Sequence, residues 1–196
     1  MDLPDLLVES REQWRAWLGE HGPTSRGVWV VTWKRQSGGP HVPYDDVVEE
    51  ALAAGWIDSR PRIIDEHRSA RLVTPRGPGS RWSRLNKQRV ERLLEAGLMR
   101  PEGLAVVAAA QASGTWTALD DVEELLEPPD LVAALDAVPA AREHWQGFPR
   151  SARRAILEWV TSARTAPTRA ARVEQTVASA ARGERANQWR PRTRDE

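Results

Sequence analysis

The chain has 196 residues, of which 40% are hydrophobic, with 28 basic and 28 acidic side chains and no formal net charge. This length and composition suit one large domain or a domain with a helical extension. The balanced charge argues against binding to nucleic acid or membrane through the net charge of the whole protein. The absence of cysteine excludes disulfides, cysteine metal sites and cysteine nucleophiles.

The N-terminal segment gives no sign of export. Its first 18 residues have neither the basic start nor the apolar run of a secretory signal. No apolar stretch in the chain approaches the ~20 residues that a membrane span needs, so we expect a cytoplasmic protein without a span. Ser10 is typical of a helix N-cap, and Trp14, Trp17 and Leu18 follow it at helical spacing.

Strands are predicted in the next part of the chain. Residues 27–34 (GVWVVTWK) are apolar on both faces, which favours a central strand. Pro43 opens a helix, and Gly55 is placed to end it. Three shorter strands follow, the last two joined by a tight polar turn: 56–58, 62–64 and 69–74.

Helices are predicted in the rest of the chain. Ser83 is typical of the N-cap of a helix that ends at Gly97, and Pro101 opens another that ends at Gly114. After Gly114 the patterns are helical. The predicted fold class is therefore α+β, a small sheet packed with helices, followed by an all-helical C-terminal subdomain. The predicted domains are an α+β domain with a pocket at 1–114, a helical subdomain at 115–183 and a disordered tail at 184–196.

Ten Trp stand beside one Tyr and one Phe. Such a set can form a stacking surface, or it can fill the core, since indole rings are large and mostly apolar. Most of these Trp occupy periodic apolar positions, which favours the core. The sequence leaves open whether some of them line a site.

The chain gives little support for common catalytic or metal sites. No Ser lies in a nucleophile-elbow pattern such as G-x-S-x-G, and all four His fall in loops or polar stretches typical of solvated side chains. No two His stand three or four residues apart, so neither a metal nor a cofactor is expected.

A Gly-rich segment, Gly77-Pro78-Gly79-Ser80, lacks the Lys-Ser/Thr pair of a P-loop. It stands between Arg76 and Arg81, shortly before the helix start at Ser83. Backbone amides and guanidinium groups in such a place can hold an anion. An ordinary surface loop is the equally weighted alternative.

Polar residues with special positions gather in residues 55–86. Asn86 lies on the apolar face of its predicted helix, where an amide must be satisfied by backbone, water or ligand. Asp58 follows an apolar pair at a predicted strand end, and Arg76 can pair with Asp58 or with Asp65. Two interpretations are open: a ligand site, or a network of ion pairs and hydrogen bonds that locks the sheet to the helix.

The same segment carries a family resemblance. Gly55-Trp56-Ile57-Asp58 is followed by Thr74-Pro75-Arg76, Ser80-Arg81-Trp82-Ser83 and Asn86, and Leu157-Glu158-Trp159-Val160 matches further on. With these motifs the chain resembles the YdeI/OmpD-associated family over residues 10–183. The resemblance implies protection against bacteriocins or antimicrobial peptides and association with an outer-membrane porin. Since the chain shows no export signal, porin contact is not expected here.

The resemblance brings no assigned catalytic residue, but it favours the ligand-site interpretation because the polar residues belong to its motifs. Our first hypothesis is a small-molecule-binding or stress-resistance protein. Arg76 and Lys34 would bind an anionic or carbonyl group, and Trp56 and Trp82 would form apolar walls. The full predicted ligand site is Lys34, Tyr44, Trp56, Asp58, Arg76, Trp82, Ser83 and Asn86.

Two further hypotheses remain. The second is an enzyme that uses the same pocket, with Asp58 as general acid/base and Arg76 stabilising developing negative charge. The third, least favoured because of the neutral total charge, is nucleic-acid binding by Arg-rich C-terminal helices. Its proposed contacts are Arg150, Arg153, Arg154, Arg164, Arg169 and Arg172.

Overall fold

A computed structural model describes residues 3–187 and shows an α+β protein, as the sequence predicts. The chain divides into two compact units, the first ending at Ala118 and the second beginning at Leu119. The predicted boundary after residue 114 coincides with the C-terminal end of a helix at Gly114. The predicted tail at 184–196 lies largely outside the described residues.

The first unit contains a four-stranded mixed sheet. Its strands, in chain order, are β1 (Asp5–Leu7), β2 (Val28–Trp33), β3 (Trp56–Ile63) and β4 (Arg68–Pro75). The spatial order is β1-β2-β4-β3, with β1 parallel to β2 and the other pairs antiparallel. The prediction that residues 27–34 form a central strand is confirmed.

Two details of the sheet differ from the sequence prediction. The sequence gives no signal for β1, which is only three residues long. The two short strands predicted at 56–58 and 62–64 form one strand, β3, with a register shift between Asp58 and Pro61. Pro61 cannot donate to a ladder, and this position on an edge strand with an irregularity is one that proline tolerates.

The described part of the first unit contains four α-helices, of which the first two pack with the strands in a common core. They are α1 (Arg11–His21), α2 (Tyr44–Ala53), α3 (Arg84–Glu95) and α4 (Pro101–Ser113). The predicted N-caps are confirmed: the Ser10 hydroxyl accepts from the Gln13 amide, and the Ser83 hydroxyl accepts from the Asn86 amide.

The core between sheet and helices is built from alternate strand residues. Val28, Val30 and Val73 are buried together with Trp14 and Trp56. The Trp14 indole N–H donates to the Val47 carbonyl at 3.0 Å, which satisfies its polar atom inside this core. A neighbouring cluster of the same unit joins α2, α3 and α4; its members include Leu52, Trp82, Val90 and Val107.

Gly55 brings the start of β3, the end of β4 and α4 close together. It has a φ of +77°, and an added Cβ would stand 3.0 Å from a Val106 methyl group and 3.1 Å from the Glu102 carbonyl oxygen. Its carbonyl oxygen accepts from the Arg76 amide at 3.0 Å. A side chain at position 55 would therefore push α4 away from Arg76.

The second unit is helical. Its described helices are α5 (Asp120–Glu123), α6 (Pro129–Asp136), α7 (Pro139–Gly147), α8 (Arg150–Thr161) and α9 (Ala166–Ala181). They enclose a core of their own around Leu131, Leu135, Trp145, Ile156 and Leu157. In the part of the chain that the structure describes, no helix combines the length and apolar character required to cross a membrane.

The expectation that most Trp belong to the core is confirmed for the described residues. Four of the nine described Trp are buried, and Trp17, Trp116 and Trp159 pack against the three core clusters. Trp29 and Trp33 are the other two, and both are only half-buried.

Candidate functional site

Arg76 follows directly on the end of β4 and is 7% exposed. Its Nη1 atom donates to the Ser80 hydroxyl at 2.9 Å and to the Arg81 carbonyl oxygen at 3.2 Å. These bonds hold one side of the guanidinium against the Gly-rich segment at 77–80.

The other side of the guanidinium carries Nε and Nη2, here called the Arg76 edge. Both atoms are buried, and neither has a hydrogen-bond partner among the described residues. Buried polar atoms in proteins are nearly always hydrogen-bonded, so this edge is an exception that requires an explanation. It marks a place where an acceptor would bind favourably.

The charge of Arg76 is costly in this setting. Burial lowers its pKa from 12.5 to about 10, while the nearby Asp58 carboxylate acts in the opposite direction. The guanidinium therefore remains cationic at neutral pH. A bound anion would replace the solvation that Arg76 loses on folding.

Trp82 fixes the plane of this guanidinium. The ring lies beneath Arg76, with the guanidinium carbon 3.6 Å from a ring centroid. Such cation–π stacking is favourable and leaves the in-plane N–H groups free to donate. The Trp82 indole N–H is itself buried and has no partner among residues 3–187.

A cavity of about 460 Å³ adjoins Arg76 and Trp82. This size falls within the range of small-ligand sites. One wall is the Gly-rich segment, and the opposite wall is α4. Its lining residues are Arg76, Gly77, Pro78, Ser80, Trp82, Ala105, Val106, Ala109, Ala110, Ser113 and Thr115. We call it the Arg76 cavity.

Trp56 lies on another side of Arg76. The two residues line a smaller cavity of about 180 Å³ together with Gly55 and Val106. Trp56 itself is buried in the sheet core. This space is below the usual size of small-molecule sites, so the Arg76 cavity is the better candidate.

Lys34 and Tyr44 lie elsewhere in the first unit. Lys34 Nζ donates to the carbonyl oxygens of Asp65 and Glu66, at 2.9 and 3.1 Å, in the turn between β3 and β4. Lys34 and Tyr44 line a separate cavity of about 190 Å³. The structure therefore does not bring these two residues to the Arg76 cavity.

Asp58 pairs with Arg71 rather than with Arg76. Its Oδ2 atom accepts from the Tyr44 hydroxyl at 2.9 Å and from Arg71 Nη1 at 3.2 Å. Burial and the bond to Asp58 raise the pKa of Tyr44. With its carboxylate engaged by two donors, Asp58 is better placed to position Tyr44 and Arg71 than to shuttle protons.

Ser83 and Asn86 have structural partners. Ser83 caps α3, and the Asn86 side-chain oxygen accepts from Arg89 Nη1 at 3.1 Å. Arg89 also pairs with Asp45. Asn86 is therefore satisfied by a side chain that the sequence analysis did not consider.

The proposed nucleic-acid contacts in the second unit are largely engaged within that unit. Arg154 pairs with Glu123 and Glu158, and Arg169 pairs with Asp130. Such ion pairs reduce the positive charge available to phosphates. Among the described residues, no cluster of three or more His, Cys, Asp or Glu side chains is arranged to hold a metal ion.

Two families match different parts of the chain. Residues 6–106 match the family described as domain of unknown function DUF8412, and residues 124–183 match the family described as "Bacteriocin-protection, YdeI or OmpD-Associated". No curated protein and no solved structure matches the chain. The YdeI/OmpD resemblance thus covers the C-terminal helices, not the whole of residues 10–183.

Residues 55–86 contain most of the motifs of that resemblance, and they lie within the DUF8412 match. Arg76, Trp82 and the first part of α4 lie within the same range. Since this match spans just over half of the 196 residues, the chain belongs to the DUF8412 family and carries a C-terminal segment of the YdeI/OmpD-associated type.

Proposed function

We propose that the protein binds a small organic anion in the Arg76 cavity. The observation that carries this proposal is the Arg76 edge: a buried cationic group whose Nε and Nη2 lack partners in the described part of the chain. Binding of an anion there supplies two charge-assisted hydrogen bonds and offsets the cost of burying the charge.

A purely structural role explains Arg76 less well. Arg89, which is also buried, donates from both terminal nitrogens to the side chains of Asp45 and Asn86 and leaves only Nε without a partner in the described part of the chain. Arg76 uses Nη1 alone, for two neutral acceptors in its own loop. A hydrophobic side chain would fill this place at lower cost, which favours a functional reason for the charge.

Because both N–H groups of the Arg76 edge are buried in the ligand-free protein, binding requires a local rearrangement around Arg76. Gly77, Pro78 and Gly79 are exposed. A Cβ at Gly77 or Gly79 would meet no heavy atom within 4 Å, so there is open space beside this segment.

The match to the bacteriocin-protection family supports a wider role. On this proposal the protein is a cytoplasmic ligand-binding protein that acts in stress or antimicrobial resistance. The alternative of an enzyme with Asp58 as acid/base is less well supported, because Asp58 lies outside the residues that line the Arg76 cavity.

A thermal-shift experiment tests the proposal. The purified protein is heated with sulfate, inorganic phosphate, acetate, hexanoate or benzoate, and the same panel is applied to Arg76→Gln. We expect at least one anion to raise the Tm of the wild type by several degrees and to leave the Tm of Arg76→Gln unchanged.

Arg89→Gln is the matched control. Arg89 is also a buried arginine of the first unit, but it does not line the Arg76 cavity. The control should retain the response to the anion even if its own Tm is lower. Equal responses of Arg76→Gln and wild type, or no response of the wild type to any anion, would contradict the proposal.

A further inference from the structure

The shape of the Arg76 edge selects among anions. Nε–H and Nη2–H lie on the same side of a planar guanidinium and point in parallel, which matches the two oxygens of a carboxylate. Nη1 is already used by Ser80 and Arg81. The available group is thus one pair of parallel N–H donors. The Trp82 ring, whose centroid lies 3.6 Å from the guanidinium carbon, orients this pair.

The charge of the cavity also favours some anions over others. Among the described residues that line it, Arg76 is the only charged one. A monoanion balances this charge. A dianion, such as a phosphate monoester at neutral pH, would leave one negative charge without a partner next to apolar walls, which is costly.

The wall formed by α4 defines the rest of the ligand. Ala105, Val106, Ala109 and Ala110 line the cavity. These positions follow an i, i+1, i+4, i+5 pattern, which places them on one side of the helix. They extend along roughly 7 Å of its axis. Methyl and isopropyl groups offer no hydrogen bonds, so this wall suits an apolar body.

The polar residues at the end of α4 are also consistent with an apolar ligand body. The Ser113 and Thr115 hydroxyls lie 3.0 Å apart, and both donate to the Ala110 carbonyl oxygen. The hydroxyl hydrogens are therefore used within the helix end, and each oxygen keeps only its capacity to accept. A sugar or another polyhydroxylated ligand would find few free donors here.

We infer that the ligand is a monocarboxylic acid with a compact apolar body, such as a single ring or a short hydrocarbon chain. The carboxylate binds the Arg76 edge and the body lies along Ala105 and Ala109. This inference rests on the proposed function and names the chemical class of the ligand for that site.

A matched series of probes tests the inference. Benzoate, phenyl phosphate and benzamide share the ring and differ in the head group, and acetate keeps the carboxylate without the ring. Their dissociation constants are measured by calorimetry at pH 7.5. We expect benzoate to bind at least tenfold more tightly than phenyl phosphate and acetate, and benzamide to show no binding.

Ala109→Leu tests the position of the apolar body. Ala109 is exposed, and leucine is a good helix former, so the variant should fold. The larger side chain fills the cavity and should weaken benzoate binding at least tenfold while leaving the weak acetate binding unchanged. Ala108→Leu, on an exposed residue that does not line the cavity, should bind benzoate like the wild type.

The possible failures are distinct. If no probe and no inorganic anion binds in a way that depends on Arg76, the proposed function itself is wrong. If phosphate or phenyl phosphate binds through Arg76 as tightly as benzoate, an anion site exists but the carboxylate inference is overturned. Unchanged benzoate affinity in Ala109→Leu would also overturn it, because the body would then lie elsewhere.

Discussion

Gly103 of α4 lies against the backbone of Ala53 at the end of α2: a Cβ at position 103 would stand 2.2 Å from the Ala53 carbonyl oxygen. The same oxygen accepts from the Arg100 amide at 3.0 Å. The helix that forms the apolar wall of the Arg76 cavity is therefore fixed in place by a backbone approach that only glycine permits.

Gly103→Ala should move α4 and disturb the cavity. Because the obstacle is a backbone atom, we expect a loss of about 1–3 kcal/mol in the free energy of unfolding, together with weaker benzoate binding. Urea denaturation and calorimetry measure the two effects. Gly79→Ala, where an added Cβ meets nothing within 4 Å, should unfold like the wild type. Equal stability of the two variants would show that the approach is not a constraint.

Arg76→Met tests whether the buried charge stabilises the fold. The lowering of the Arg76 pKa from 12.5 to about 10 corresponds to a cost of about 3 kcal/mol for the charged form. This cost is present in full below about pH 10, and the two bonds of Nη1 offset it by about 1 kcal/mol each. We therefore expect the ligand-free variant to be as stable as the wild type or more stable.

Arg89→Met is the comparison for that experiment. Arg89 pairs with Asp45 and Asn86, so its loss should lower the free energy of unfolding by about 1–3 kcal/mol. Urea denaturation without ligand at pH 7.5 gives both values. A loss at Arg76→Met as large as that at Arg89→Met would favour a structural network around Arg76 over a binding site.

Glu50 should control part of the acid sensitivity of the first unit. Its side chain is 4% exposed and accepts from Arg11 Nε at 2.7 Å and Arg15 Nη2 at 2.6 Å. Burial raises the pKa of Glu50, but the bonds from the two arginines outweigh it and the net shift is downward. The stabilisation is thus present above the unfolded-state pKa of about 4.3 and lost as pH falls through the lower folded-state value.

Glu50→Gln removes this titration. At pH 7 we expect the variant to lose about 2 kcal/mol of stability, because two arginines lose a charged acceptor. The difference from the wild type should shrink as the pH falls below the unfolded-state value of about 4.3 and through the lower folded-state value. Urea denaturation across this range measures it, with Glu20→Gln at an exposed position as control. A constant difference at all pH values would refute the assignment.

Local sequence signals predicted much of the fold. The cap residues Ser10 and Ser83 and the apolar run of β2 each depend on neighbours in the chain, and each is confirmed. β1 was missed because three residues cannot show a period, and its pairing with β2 is a long-range contact. The register shift in β3 was missed for a similar reason: it shows only when β4 lies alongside.

The candidate site was predicted less completely. Arg76 and Trp82 were selected from one motif, and they do lie in contact. The sequence allowed Arg76 to pair with Asp58, but the partner is Arg71, since the strand register decides which arginine reaches the carboxylate. The apolar wall that α4 contributes to the Arg76 cavity was not predicted, because Ala and Val at helical spacing are typical of an ordinary helix core. An unsatisfied N–H group is a property of three-dimensional packing and leaves no trace in the sequence.

Helix α4 contains both buried core positions and exposed positions that line the Arg76 cavity. Val107 is buried in the core, whereas Ala105 and Ala109 are exposed and face the cavity. Exposed helix positions usually tolerate substitution within about 0.5 kcal/mol. If the proposed anion site at Arg76 is correct, substitutions at these two alanines should therefore change the apolar wall of the cavity at little cost to the fold.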